Sequence, residues 1–280
     1  MRLQTFAEAL GRRRSAVAGI VLFCIPLAMA IFAGWITPFS PNAMVGAPYE
    51  KPGTTHILGT DDIGKDLFSQ LVYGSRTSLT VGVLSTVIAM ILGVLVGMLA
   101  GYSGGWLDEV LMRFTDVVLT FPYLIFVIVL IAYVGPSIWN MIICIGVLAW
   151  TTIARMVRSQ VLSLKTQLYV EAATALGATN RYIMLRYILP SLTVLLIPVA
   201  VLTIVDGILT EAGLSFLGLG DLTQPSWGLI LFYAAARGGF VKGSWWWIVP
   251  PGLMIAITSL GLLFTGQALD EILNPRKQRF

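Results

Sequence analysis

Two carboxylates stand where charge is costly. Asp206 and Glu211 fall within the apolar run 191–214. An ionised group in hydrocarbon is stable only when it faces water, a donor or a partner, so such acids mark pathways, relays or buried locks. Asp206 lies about 15 residues into the run, roughly 22 Å at the 1.5 Å rise of a helix. It is expected to line a translocation path and to favour a cationic or amine-bearing solute, or else to make a structural hydrogen bond between helices. Glu211, nearer the far end, is the second candidate for the path, with a structural or gating role favoured. The other reactive side chains are sparse. His56 is the single histidine, too little for a metal site, and reads as a turn residue. Cys24 and Cys144 each sit in an apolar run and read as buried packing thiols without disulfide or metal spacing. No triad or metal cluster is discernible. The segment from Gly59 to Asp66 nearly matches a phosphate-binding loop, but Asp66 replaces the magnesium-holding hydroxyl and no strand precedes it. The chain is therefore expected to carry no catalytic site and no cofactor.

These groups must be positioned by membrane helices. Of the 280 residues 57% are hydrophobic and only 11% charged, against about 25% charged in soluble domains, and the mean hydropathy is +0.85. Six runs approach the roughly 20 apolar residues a span requires: 15–36, 79–101, 117–134, 137–154, 191–214 and 247–269. Backbone groups in hydrocarbon must be satisfied internally, so the expected fold is all-α. Gly135-Pro136 reads as a tight turn between the third and fourth runs. Arg12 to Arg14 before an apolar run that contains Ala28-Met29-Ala30 resembles a cleaved leader, but the run continues through Ile36, so an uncleaved first span is expected. With the N-terminus inside, all but five (Lys51, Lys65, Arg76, Arg237, Lys242) of the 18 Lys and Arg residues lie on the inner side. That bias sets the orientation, with both termini cytoplasmic. The net charge of +4 thus reflects topology and does not point to nucleic acid.

Between the fourth and fifth runs lies a polar interruption, EAATALGATNRYIMLRYILP, residues 171–190. It reads as a helix–turn–helix. Ala172, Ala173 and Leu176 are expected on one face, Gly177 suits a left-handed helix end, and Asn180 is expected to cap a second helix with Ile183, Met184, Tyr187 and Ile188 on its apolar face. Pro190 marks entry to the next span. Gly93, Gly97 and Gly101 form overlapping G-x-x-x-G motifs that allow close helix approach, to a partner subunit or within the chain. Arg113 and Asp116, at i and i+3, are expected to pair. Trp245, Trp246 and Trp247 read as an interfacial aromatic anchor.

The 171–190 stretch resembles the EAA loop of ABC importer permeases, with Glu171, Ala172, Ala173, Gly177, Leu189 and Pro190 at the family's spacing; Tyr187 replaces the usual Ile. Further landmarks resemble the dipeptide/oligopeptide/nickel subfamily, C-type subunit, over about residues 50–276: His56-x-Leu58-Gly59-Thr60-Asp61, Tyr73-Gly74-x-Arg76, Gly101-Tyr102-x-Gly104-Gly105-Trp106, Phe121-Pro122, Glu211-Ala212-x-Leu214-Ser215-Phe216 and Pro225-Ser226-Trp227-Gly228. Lys65 stands where the family usually has Arg, and Asp206 where it usually has a small residue. The resemblance implies a six-helix type I ABC importer transmembrane domain with a cytoplasmic coupling helix (Glu171, Ala172, Ala173, Leu176, Gly177, Pro190). It further implies a first segment 1–76, a core 77–270 with the coupling loop at about 155–190, and a tail 271–280. The implied partners are a second permease, two ATP-binding subunits that hold ATP and magnesium, an external substrate-binding protein and the bilayer of a prokaryotic inner membrane. The alternatives are an ion-driven secondary transporter, which would carry more intramembrane charge and interrupted repeats, and a membrane scaffold or sensor.

Overall fold

The computed structural model describes residues 14–273; the tail residues on which part of the charge bias rests lie outside this range. In chain order the elements are α1 (Arg14–Ile36), α2 (Leu67–Ser103), α3 (Gly105–Thr120), α4 (Tyr123–Val134), α5 (Ile138–Lys165), α6 (Leu168–Ala175), α7 (Asn180–Ile183), a π-helical turn (Met184–Ile188), α8 (Leu189–Phe216), α9 (Trp227–Ala236) and α10 (Trp245–Leu273). Five helices are long and apolar enough to cross a membrane, and the pair α3–α4 makes a sixth, bent by 84°. Its break follows from Pro122. A residue before proline is pushed out of the helical region, and Phe121 is extended at φ −81°, ψ 134°. The expected single span 117–134 is therefore two helices.

Two further boundaries differ from expectation. The second span begins at Leu67, not 79, because Asp66 caps the helix by accepting from Ser69 N at 2.8 Å. The polar side chains that hide this start from hydropathy, Ser69, Gln70, Ser75 and Ser78, are buried. At the fifth span the chain does not form a separate hairpin arm; α7 runs through the π turn into α8. Pro190 explains the widened turn. Proline lacks an N–H and its ring collides with the carbonyl four residues back; here Leu189 N bonds Met184 O instead, five residues back. Such bulges are how helices absorb the collision.

The core is the α2–α5 pair. A Cβ on Gly93 would meet Ile153 Cβ at 2.6 Å, one on Gly97 the Ala154 carbonyl at 2.5 Å, and one on Gly101 the Arg158 carbonyl at 2.9 Å. Gly146 of α5 answers with Ser85 O at 2.8 Å. The glycine stripe therefore faces α5 of this chain. α8 crosses α2 at Gly207 and Gly82, where a Cβ on Gly207 would lie 3.1 Å from Gly82 Cα. Close to this crossing Glu211 is 1% exposed; Ser78 Oγ and Ser215 Oγ donate to its carboxylate at 2.8 and 2.7 Å. Replacing Glu211 with alanine would leave both hydroxyls without their acceptor and is expected to cost about 2 kcal/mol, read as a lower midpoint of thermal unfolding. An unchanged midpoint would contradict this.

The loop end of the bundle is tied by polar clasps. His56 opens a turn, as expected, its carbonyl accepting from Gly59 N at 2.9 Å, and it is also buried, with Nδ1 3.0 Å from Asp66 Oδ1. The phosphate-loop look-alike is a turn: Asp61 accepts from Ile63 N, Lys65 N and Gln70 Nε2 at 2.8 to 3.0 Å. Arg237 pairs with Asp62 at 2.9 Å. Burial raises the Asp221 carboxyl, but hydrogen bonds from Thr223 and from Ile138 N at the start of α5 outweigh it and hold its pKa below the ordinary carboxylate value. Of the three tryptophans only Trp245 is exposed; Trp246 and Trp247 are buried against Leu67, Ile230 and Ala234, so the run is core more than interfacial anchor. Cys24 is likewise exposed, and only Cys144 is a buried thiol.

Candidate functional site

The opposite end of the bundle carries a knuckle. α6 ends in a Schellman turn: Gly177 N donates to Thr174 O at 3.0 Å and Ala178 N to Ala173 O at 3.1 Å. Gly177 has φ +82°, the left-handed conformation glycine adopts without penalty. Thr179, not Asn180, caps α7 by accepting from Tyr182 N. Asn180 is instead held by the Tyr102 hydroxyl at 3.2 Å, and Lys165 Nζ donates to Tyr102 O at 2.7 Å. The knuckle is thereby fixed to both α2 and α5. Ala173 is buried while Ala172 is exposed, which separates two residues expected on one face. A step of one residue turns a helix by about 100°, so only Ala172 and Leu176, four apart, share the outer surface. Val170 lies inward with Ala173, and Ile183 and Ile188 fill the same cluster. Outward point Leu168 and Leu176, 83% and 88% exposed. Glu171 is exposed beside them and Pro190 is exposed at the head of α8.

Above the knuckle, α3 is clamped to α5. Asp108 accepts from Arg158 Nε and Nη2 at 2.5 and 2.6 Å, and Asp116 pairs with Arg155. Arg113 reaches Glu109 rather than Asp116. The expected i, i+3 pair loses because Asp116 faces α5, where a guanidinium already waits.

Deeper in the bundle a cavity of about 500 Å³ opens between α2, α5, α8 and the α3–α4 break, lined in part by Leu119 and Tyr123. Asp206 lines it together with Thr152, Thr203 and Thr210. Glu211 does not: one residue beyond Thr210, it is turned toward Ser78 on α2. Sequence reasoning misses the hydroxyls. Their signal is present, since Thr203, Asp206, Gly207 and Thr210 fall at i, i+3, i+4 and i+7, a polar stripe on an apolar helix.

A scaffold of bent and crossing apolar helices with a knuckle at one end is that of a multi-pass membrane protein. Residues 93–279 match the family described as binding-protein-dependent transport system inner membrane component, and residues 2–52 match the N-terminal transmembrane domain of oligopeptide transport permease C. The chain belongs to this family and is a transmembrane permease subunit of an ABC importer. It is 35% identical to the oligopeptide transport system permease protein OppC of Haemophilus influenzae, over 95% of this chain and 86% of that protein. To the dipeptide transport system permease protein DppC of Alkalihalophilus pseudofirmus it is 34% identical, over 96% and 88%. Among solved structures, the inward-facing MetNI methionine ABC transporter matches with a TM-score of 0.61 at 21% identity, covering 73% of this chain and 96% of that one, a likeness of fold. These relationships favour the ABC permease over an ion-driven carrier or a scaffold.

Proposed function

We propose that this chain forms half of the translocation path of an ATP-driven peptide importer, working with a second permease, two ATP-binding subunits and an external binding protein. The observation that carries the reading is the knuckle: its exposed Leu168 and Leu176 project from a base locked by Gly177, Tyr102 and Lys165. Such an apolar tip outside the spans calls for a cover. ATP-binding subunits closing on the Glu171–Gly177 segment would push α6 against α5 and α8 and tilt the bundle. Peptides are the solute class because the relatives over most of the chain are named for peptide transport. In this assembly the termini face the cytoplasm of a prokaryote, and ATP and magnesium are held by the partners. The division into 1–76, 77–270 and 271–280 is kept for this assembly as a division of the sequence, although α2 and α10 run across its two boundaries. Purification from native membranes in mild detergent, followed by mass spectrometry, is expected to recover a related permease and one or two ATPases. Recovery of the chain alone, still transporting, would overturn the proposal.

A further inference from the structure

The cavity holds a charged group that nothing in the chain accounts for. Glu211 has its carboxylate oxygens satisfied by two serine donors. Asp206, five residues earlier on the same helix, is not: its backbone carbonyl accepts from Thr210 Oγ1 at 2.7 Å, but among the described residues its carboxylate has no hydrogen bond or ion pair. The side chain is exposed to the cavity. A carboxylate so deep in a membrane is costly unless water or a cation meets it.

The lining says which cation. No Lys, Arg or His is among the lining residues, so no built-in counter-charge competes. The hydroxyl-bearing residues Tyr123, Thr152, Thr203 and Thr210 line the space, the Thr203 and Thr210 hydroxyls donating to the Val199 and Asp206 carbonyls and keeping their oxygens as acceptors, and apolar residues such as Leu148 and Met156 complete the lining. One carboxylate among neutral hydroxyls is a poor cage for calcium, which takes six to eight oxygens, and the lining lacks the imidazole and thiolate ligands that nickel or zinc would need. An ammonium group suits it: three donors, one for the carboxylate and two for hydroxyl or carbonyl oxygens. The volume lies inside the roughly 300–1,000 Å³ of small-molecule sites. Resting on the permease function proposed above, we infer that Asp206 and its hydroxyl surround form a station for the ammonium group of the passing solute, with the apolar walls taking the side chain next to it.

The test uses native membrane vesicles carrying the whole transporter, with Cys24 and Cys144 replaced by serine and Thr152→Cys as reporter. The rate at which the reporter thiol is modified is measured with 2-aminoethyl, 2-hydroxyethyl and 2-sulfonatoethyl methanethiosulfonate, each normalised to a free thiol. The ammonium reagent is expected to react about tenfold faster than the sulfonate, the worth of one charge-assisted hydrogen bond. Asp206→Asn is expected to collapse that ratio and Asp206→Glu to restore it. Trialanine is expected to protect the reporter thiol from the neutral reagent, whereas N-acetyl-trialanine is not. N-acetyl-Lys-Ala-Ala shows whether a side-chain ammonium serves as well as a terminal one, and protection by either supports the station. An unchanged ratio in Asp206→Asn, equal protection by N-acetyl-trialanine, no modification by any reagent, or loss of the assembled complex in Asp206→Asn would each overturn it. The last would assign the carboxylate to a contact with a partner subunit. Failure of the importer reading is separable, since it shows as missing ATPases on co-purification and leaves the labelling ratio intact.

Discussion

Proline at position 177 is expected to reduce ATP-driven uptake to background while the chain still accumulates in the membrane. Proline fixes φ near −65° and has no N–H, whereas Gly177 sits at φ +82° and donates to Thr174 O. Both requirements fail together, so α6 loses its end and the exposed Leu176 and Ala172 lose their placement. None of the long apolar helices includes residue 177, so insertion is expected to be spared. Gly177→Ala separates strain from geometry. A Cβ there would meet nothing within 4 Å, leaving only the left-handed penalty of about 1–2 kcal/mol. The alanine variant is expected to transport at a reduced rate with its ATPases still bound. Uptake assays with quantified membrane levels check both. Normal uptake by the proline variant would remove the knuckle from the coupling route.

What the sequence shows and what it hides divides along physical lines. Gly177 is legible because a polar segment between spans, ending in glycine, has few alternatives to a helix stop. The direction in which Ala172 and Ala173 face is not, because their helix is short and its burial is set by Ile183 and Ile188, which arrive later in the chain. Hydropathy locates six crossings but not the start of the second. Ser69, Gln70, Ser75 and Ser78 look like loop residues until their neighbours are known, and their burial is decided by contacts with Asp61, Glu211 and other distant residues. Trp246 and Trp247 illustrate the reverse: an aromatic run at a span edge signals an interface, yet α9, a short apolar helix, covers two of the three. Asp206 is visible as a deep acid. That it faces a cavity while Glu211 faces serines follows from the five-residue step between them, which places the two on different sides of one helix.

The other large effect is expected at Gly97. Here there is no positive φ; the constraint is space. A Cβ at this position would lie 2.5 Å from the Ala154 carbonyl oxygen and 2.7 Å from Val157 Cβ, a backbone atom and a branch point that no rotamer change can withdraw. Helix association in a membrane lacks a hydrophobic drive and depends on close packing, so the α2–α5 seam has little else to hold it at that level. Gly97→Ala is expected to cost about 1–3 kcal/mol, the range for overpacking. Gly97→Leu is expected to separate the helices and abolish recovery of a monodisperse complex in detergent. The matched control is Gly213→Ala on α8, where an added Cβ meets nothing within 4 Å. There the change removes a glycine from a helix interior and is expected to be neutral or to stabilise by up to about 1 kcal/mol. Thermal unfolding of the two alanine variants side by side reads the difference. Equal midpoints would show that α2 and α5 have slack at Gly97 and that the stripe serves some contact other than this one.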